Sequence, residues 1–130
     1  MKVVSLLNPD TLRAVREILV DVLSVDLEEM TSQESNFYYD LGGESIDLLD
    51  LNFHIEKRWG IKLAAKSFTD RIATFSTEES IESINETLRS EFQFSQGIQL
   101  DQADLGDIKR LMTIEFIAHM IDFERCERKQ

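Results

Sequence analysis

Proline and glycine are scarce in this sequence, and this scarcity constrains the fold more than any other feature. The 130 residues include one proline and five glycines, so few positions favour the tight turns that an all-β fold needs. The chain has the length of one domain, and 42% hydrophobic and 30% charged residues are typical of a soluble globular protein. We therefore expect residues 1–130 to form a single all-α domain.

Apolar residues recur at helical spacing in four segments. Asn8 and Pro9 are typical of an N-cap and a first helical residue. Gly60 is a typical helix stop, and Thr113 is a candidate cap for the last helix. The predicted helices extend from Pro9 to about Ser24, from Ser45 to about Trp59, from a start in Ser76–Glu79 to about Phe92, and from Thr113 to about residue 123.

The connecting segments are less regular. Residues 25–39 show no sustained period and predict a long loop that carries three apolar side chains into the core, namely Leu27, Met30 and Phe37. Residues 61–76 have no clear pattern, although three apolar residues should reach the core, namely Phe68, Ile72 and Phe75. Residues 104–108 predict a turn or a brief helix, and residues 124–130 a frayed, charged end.

The acidic charge is concentrated in one part of the chain. The formal net charge is −11, and residues 17–56 contain eleven acidic residues but no lysine or arginine. Such a field repels nucleic acid and anionic membrane surfaces and attracts basic protein surfaces. An acidic surface that merely aids solubility is the alternative interpretation.

The N-terminal segment and the cysteine content indicate the cellular compartment of the protein. The first apolar run is too short for a signal peptide, and no stretch is long enough to span a membrane. The single cysteine, Cys126, has no partner for an internal disulfide. Together these features predict a cytoplasmic protein without membrane insertion.

One serine stands at the start of the second predicted helix, directly after a glycine turn. Residues 40–51 read Asp-Leu-Gly-Gly-Glu-Ser-Ile-Asp-Leu-Leu-Asp-Leu. The turn presents Ser45 beside Glu44, Asp47 and Asp50, in a negative field that suits a serine modified by another enzyme. Ser45 as a plain helix cap is the alternative.

In this context the chain resembles the acyl carrier and peptidyl carrier protein family. The family motif is usually Leu-Gly-Gly/Ala-Asp/His-Ser-Leu/Ile, and here residues 41–47 read Leu-Gly-Gly-Glu-Ser-Ile-Asp. The resemblance covers residues 8–63 well and residues 104–123 loosely. It implies an acyl-carrier-protein-like four-helix bundle with an extra inserted helix, because residues 64–99 are longer than the corresponding segment of the family.

The resemblance also implies a carrier rather than an enzyme. A phosphopantetheinyl transferase, using coenzyme A and Mg²⁺, would attach 4′-phosphopantetheine to Ser45. The terminal thiol of that arm would carry acyl groups as thioesters for a fatty-acid, polyketide or specialised lipid pathway, and an acyl chain would be able to fold back between the helices.

Four residues around Ser45 are expected to recognise basic docking faces on the transferase and on acyl-loading, synthase or acyltransferase enzymes, namely Glu44, Ile46, Asp47 and Asp50. Glu44 stands where many acyl carriers have aspartate. The carrier is expected to act as a monomer. The inserted segment is expected to cover one flank of the bundle and to narrow the range of partners.

The remaining polar residues favour no catalytic or metal site. His54 and His119 are isolated in the sequence and are more typical of a helix surface or core edge than of acid–base chemistry. The carboxylates lack the histidine and cysteine spacing of zinc sites and the dense oxygen alternation of calcium loops. Three alternatives stay open: a peptidyl or aminoacyl carrier, an unmodified acidic helical adaptor and, last, a small enzyme.

Overall fold

The computed structural model describes residues 2–3, 7–30, 32–63, 65–76 and 78–128, without the side chains of residues 2 and 126–128. In this part of the chain there are six α-helices and one pair of two-residue strands. The helices are α1 (Pro9–Leu23), α2 (Ser45–Trp59), α3 (Ala65–Ile72), α4 (Ile81–Glu91), α5 (Gln102–Gly106) and α6 (Ile114–Arg128). The prediction of an all-α fold is confirmed.

The first helix begins as the sequence predicts. The Asn8 side chain accepts a hydrogen bond from the Asp10 N–H at 2.8 Å, and Pro9 occupies the first turn, where its missing N–H costs nothing. At the other end Ser24 adopts the left-handed conformation, with φ of 56°, and this closes the helix. The buried side of α1 includes Val15 and Leu19.

The core lies between α1, α2 and α6. The packing of α1 against α6 is more extensive than its packing against α2. Apart from the half-buried Thr113 that precedes it, α6 is buried along residues 114–121, as expected for a helix surrounded by other elements. The Thr113 hydroxyl accepts the Phe116 N–H at 3.1 Å, so the predicted cap of the last helix is confirmed.

The segment predicted as an insertion shares this core rather than lying on top of it. The rings of Phe68 in α3 and Phe116 in α6 are 5.9 Å apart, and Phe94 lies 5.1 Å from Phe68. The side chain of Asn85 in α4 also exchanges two hydrogen bonds with the backbone of Leu100, at 3.0 and 3.1 Å. The Asn85 bonds join α4 to Leu100, directly after the strand that follows this helix, whereas Phe94 ties residues 81–100 to the rest of the domain through its ring contacts with Phe68 and Phe116.

The sequence prediction is wrong in three details and leaves one helix undefined. Leu27 does not enter the core: its side chain is 56% exposed, whereas Met30 and Phe37 are buried. The fourth helix begins at Ile81, because the Ser80 hydroxyl accepts the Ser83 N–H and caps it. Residues 65–72 form a helix that the sequence left undefined, and α6 continues through residues 124–128 instead of fraying.

Parts of three predictions lie outside the described residues: residues 64 and 77 of the insertion, residues 129 and 130 of the frayed end, and the Cys126 side chain. The strands Lys2–Val3 (β1) and Ile98–Gln99 (β2) pair antiparallel, a small addition to the expected helices. Within the described residues no helix has both the length and the apolar character needed to cross a membrane.

Candidate functional site

A buried asparagine organises the loop that leads to Ser45. The Asn36 Oδ1 accepts the backbone N–H groups of Tyr38, at 2.8 Å, and Tyr39, at 3.1 Å. Its Nδ2 donates to the carbonyl oxygens of Lys109, at 3.0 Å, and Arg110, at 3.2 Å. Because these bonds fix both a local turn and a segment more than seventy positions away, Asn36 holds the loop against the 3₁₀ turn that precedes α6.

Backbone bonds on both sides of Asn36 reinforce this attachment. The Phe37 N–H donates to the Met112 carbonyl at 2.7 Å, and the Ile114 N–H donates to the Ser35 carbonyl at 3.0 Å. Pairing of this kind satisfies backbone groups that a buried loop would otherwise leave without partners. The loop from Ser35 to Leu41 is thus a rigid support and not a flexible connection.

The glycine pair completes the support for two different physical reasons. Gly42 has a φ of 72°, a left-handed conformation that favours glycine. Gly43 packs directly on the buried ring of Phe37, since a Cβ at this position would lie 2.6 Å from a ring carbon. The Gly43 N–H also donates to the Phe37 carbonyl at 2.8 Å. Both glycines are therefore required for the chain to enter α2 at this angle.

Ser45 is the first residue of α2, and its side chain is exposed. Glu44, one position before it, is the N-cap, and its N–H donates to the Asp47 carboxylate at 2.9 Å. The Ser45 hydroxyl forms no hydrogen bond with any residue that the structure describes. The cap role that sequence reasoning left open for Ser45 thus belongs to the neighbouring residues, which leaves the Ser45 hydroxyl accessible.

An apolar stripe follows Ser45 along the solvent side of α2. Ile46, Leu49 and Phe53 are 67%, 68% and 64% exposed, and their spacing places them on one face of the helix. Leu51 and Ile55, on the opposite face, are fully buried. The two apolar sides of this helix therefore have separate roles: one belongs to the core, and the other, which we call the α2 stripe, faces solvent.

The predicted recognition acids lie around the first two turns of α2, next to the α2 stripe. Glu44 and Asp50 are exposed, whereas Asp47 is half-buried and accepts the capping hydrogen bond. Glu44 and Asp47, at the N-cap and in the first turn, complement the positive end of the helix dipole. The structure thus brings together Ser45 and the four residues that sequence reasoning grouped with it.

The two histidines lie away from this group. His54 is half-buried nine residues beyond Ser45, roughly 13 Å along the helix axis. His119 is buried in α6, with its Nε2 2.5 Å from the Phe94 carbonyl oxygen. Among the described residues no three histidine, cysteine, aspartate or glutamate side chains are grouped closely enough to hold a metal ion.

Comparison with known families decides the class of protein. The sequence profile of the family described as "Phosphopantetheine attachment site" matches residues 13–77, which is half of the chain. The chain belongs to this family. The match extends from α1 through α2 and α3, so it includes the whole loop that supports Ser45.

Curated relatives agree with the family. The chain is 36% identical over 62 residues to the acyl carrier protein AcpXL of Mesorhizobium japonicum, an alignment that covers 48% of this chain and 66% of the relative. It is 32% identical over 69 residues to the polyketide-8 synthase acyl carrier protein 2 of Streptomyces avermitilis, covering 53% and 78% respectively. For the acyl carrier protein of Petrotoga mobilis the identity is 41% over 49 residues, covering 38% and 56%. No solved structure matches the chain significantly.

The prediction of an acyl carrier of the phosphopantetheine-binding family, which is not itself an enzyme, is confirmed by these comparisons. The site also fits the family's cofactor, 4′-phosphopantetheine. An exposed hydroxyl stands at a helix N-terminus, where backbone N–H groups favour a phosphate. The adjacent glycine turn leaves space for an arm, and the α2 stripe offers an apolar surface beside it.

Sequence reasoning missed Asn36. A signal existed, because asparagine favours turns through bonds to its own backbone and Asn36 opens the run Asn-Phe-Tyr-Tyr-Asp. The second half of its role, the bonds to residues 109 and 110, depends on a tertiary contact that a single sequence does not reveal.

Proposed function

We propose that this protein carries acyl groups as thioesters on a 4′-phosphopantetheine arm attached to Ser45. The observation that carries the proposal is the position of this serine: an exposed hydroxyl on the first residue of α2, held by a rigid loop and followed by the α2 stripe. When bound, the arm supplies a terminal thiol, which forms the thioester.

In this proposal Ser45 is a substrate of another enzyme. Its Oγ forms a bond to the β-phosphorus of coenzyme A, the bond to the nucleotide part breaks, and the hydroxyl proton passes to a base of the transferase. An unassisted serine is a weak nucleophile. His54 lies nine residues farther along α2, and His119 is buried with its Nε2 against the Phe94 carbonyl oxygen, so neither is placed to remove the proton. Exposure of the hydroxyl is therefore what this chain contributes to the attachment.

The α2 stripe and its acidic border form the proposed docking face. Ile46, Leu49 and Phe53 expose a contiguous row of large apolar side chains, a feature that often marks a protein interaction surface. Glu44 and Asp50 flank the row and would steer a partner with a basic surface. Asp47 acts mainly through its capping bond, which fixes the start of the helix. The proposed partners are a phosphopantetheinyl transferase and acyl-loading, synthase or acyltransferase enzymes.

The proposal also covers how the chain divides into a carrier core and an insertion. The core is proposed to be residues 8–63 and 104–123, and the insertion, residues 64–99, is proposed to narrow the range of partners. Because the family match extends to residue 77 and Phe68 and Phe94 pack on Phe116, this segment also contributes to the core. Support for its role in partner selection comes from α4, whose Glu82 and Glu86 are exposed while Asn85 and Leu88 are buried. Charge reversal at both glutamates should leave the unfolding temperature unchanged and alter transfer to the physiological partner.

A monomeric state and a cytoplasmic location complete the proposal, the latter because a single cysteine suits a reducing compartment. The pathway is proposed to be fatty-acid, polyketide or specialised lipid synthesis, in line with the names of the relatives.

The test is modification in vitro. The purified protein is incubated with a broad-specificity phosphopantetheinyl transferase, Mg²⁺ and coenzyme A, and its intact mass is then measured. The wild type should gain one phosphopantetheine, and Ser45→Ala none. Failure to gain mass with several transferases would contradict the proposal and favour the alternative of an unmodified acidic adaptor. Competition between acyl and aminoacyl donors then distinguishes an acyl carrier from a peptidyl carrier.

A further inference from the structure

A small cavity lies between α2, α3 and the 3₁₀ turn formed by Ile108–Leu111. Its volume is about 110 Å³, and its apolar wall includes Leu48, Ala65, Ile108 and Met112. Leu48 is one helical turn beyond Ser45, so the cavity begins close to the point where the arm would be attached. A group carried at the end of a folded arm would therefore reach this cavity without leaving the protein surface.

The size of the cavity limits what it can hold. An apolar cavity of about 150 Å³ accommodates benzene, so a volume of 110 Å³ accommodates about four carbon atoms. Phe68 lies on the same helix as Ala65 and Thr69 of the lining and is fully buried, and its ring packs against those of Phe94 and Phe116 at centroid distances of 5.1 and 5.9 Å. A chain longer than the cavity would therefore have to extend into solvent or disturb this packing, whereas a short one would not.

Two lysines border the cavity on its solvent side. Lys66 extends from α3 and Lys109 from the 3₁₀ turn, and both side chains are exposed. The Lys109 ammonium group lies 5.3 Å from the centre of the Tyr38 ring and forms no ion pair with a described residue. Lys66 pairs with Asp70 at 2.7 Å, in a contact where both side chains are more than half exposed. In a protein of net charge −11, this is a local positive site beside an apolar one.

We propose that the group carried by this protein is a short acyl chain that ends in a carboxylate, and that Lys66 and Lys109 select it. The methylene groups contact Leu48, Ala65 and Met112, and the carboxylate lies at the solvent edge between the two ammonium groups. This inference rests on the proposed attachment at Ser45 and adds the substrate class.

The test compares two acyl groups of equal length. The transferase is given glutaryl-coenzyme A or pentanoyl-coenzyme A, so that each acylated arm is attached in one step and verified by intact mass. Thermal unfolding is then measured for both products. In the wild type the glutaryl form should unfold about 2 °C above the pentanoyl form, as expected for exposed ion pairs. High salt should reduce this difference by screening.

The double variant Lys66→Gln, Lys109→Gln should abolish the advantage of the glutaryl form. Lys62→Gln, an exposed lysine that does not border the cavity, should retain it. All these substitutions lie on the surface, so folding is not at risk. A hexadecanoyl arm should give no stabilisation beyond that of the pentanoyl arm.

Equal unfolding temperatures for the glutaryl and pentanoyl forms of the wild type, or a larger effect of the hexadecanoyl arm, would overturn the inference. Either result requires that the acylated arm has been attached, so it leaves the proposed function intact. If the proposed function itself were wrong, no arm would be attached and no product of increased mass would form, so the two outcomes are distinguishable.

Discussion

Substitution of Gly43 by alanine tests whether the glycine turn is a fitted support for Ser45. An added Cβ would lie 2.6 to 2.8 Å from three carbons of the Phe37 ring, although carbon atoms prefer a separation of about 3.5–4.0 Å. The ring or the turn must therefore move by about 1 Å. Phe37 is fully buried, and because protein interiors are close-packed, a shift of its ring would disturb the side chains around it.

The expected cost follows from two opposing effects. Overpacking by a methyl group in a filled core costs about 1–3 kcal/mol. Replacing glycine by alanine also removes freedom from the unfolded chain, which offsets about 0.4–1 kcal/mol. The cost of overpacking is larger, so the free energy of unfolding should fall by about 1–2 kcal/mol. For a domain of this length the unfolding temperature should fall by about 4–8 °C.

Two other glycines provide matched controls. Gly106 has open space around its Cβ position and no positive φ, so Gly106→Ala should be neutral or slightly stabilising. Gly42→Ala meets no atom within 4 Å but has to adopt a φ of 72°, which costs about 1–2 kcal/mol without any clash. Replacing Phe37 by leucine should reduce the penalty of Gly43→Ala but not that of Gly42→Ala.

Thermal unfolding by circular dichroism measures these differences. Gly43→Ala should also accept phosphopantetheine more slowly, because the displaced turn reorients the start of α2. An unfolding temperature for Gly43→Ala equal to or above that of Gly106→Ala would refute the packing argument.

Three further substitutions test other parts of the structure. Asn85→Ala should lower the free energy of unfolding by about 2–3 kcal/mol, because it leaves the Leu100 backbone groups buried without partners. A denaturant titration measures this loss, and a loss smaller than that of the exposed control Glu86→Ala would contradict the prediction. Burial raises the pKa of Glu115, so the stability that its protonated form provides is present at low pH and is lost as the pH rises through the folded-state pKa. Glu115→Gln should therefore gain stability relative to the wild type as the pH rises from 4 to 7. A difference in the free energy of unfolding between the two proteins that stays constant over this pH range would contradict a raised pKa for Glu115. Phe53→Ser, at a side chain 64% exposed, should change stability by less than about 0.5 kcal/mol but lower kcat/KM of the transferase about fivefold to tenfold; equal kinetics for Phe53→Ser and for Leu27→Ser, outside the α2 stripe, would exclude the stripe from docking.

The sequence predicted those elements whose signals are local. Asn8 and Pro9 define the start of α1, and Gly60 adopts the left-handed conformation that ends α2. The motif around Ser45 is also predictable from local signals, because the glycine turn and the apolar spacing of α2 agree there. Consistent local signals of this kind are what make a segment predictable.

The errors occur where tertiary contacts decide. Leu27 is apolar, yet the short 3₁₀ turn that carries it points its side chain to solvent. The eight-residue helix α3 has too few turns to show a clear period, and its apolar residues are explained by the aromatic cluster around Phe68. Asn36 and the two lysines beside the cavity become significant only when residues distant in sequence are brought together.

We propose that Ser45, and no other residue, bears the arm. Because residues 17–56 contain no lysine or arginine, trypsin leaves Ser45 in one peptide with Ser24, Ser32 and Ser35. Fragmentation mass spectrometry of this peptide, after reaction with transferase and coenzyme A, distinguishes the four positions. We expect phosphopantetheine on Ser45 alone. Its presence on any of the other three serines, or on none of the four, would contradict attachment at Ser45.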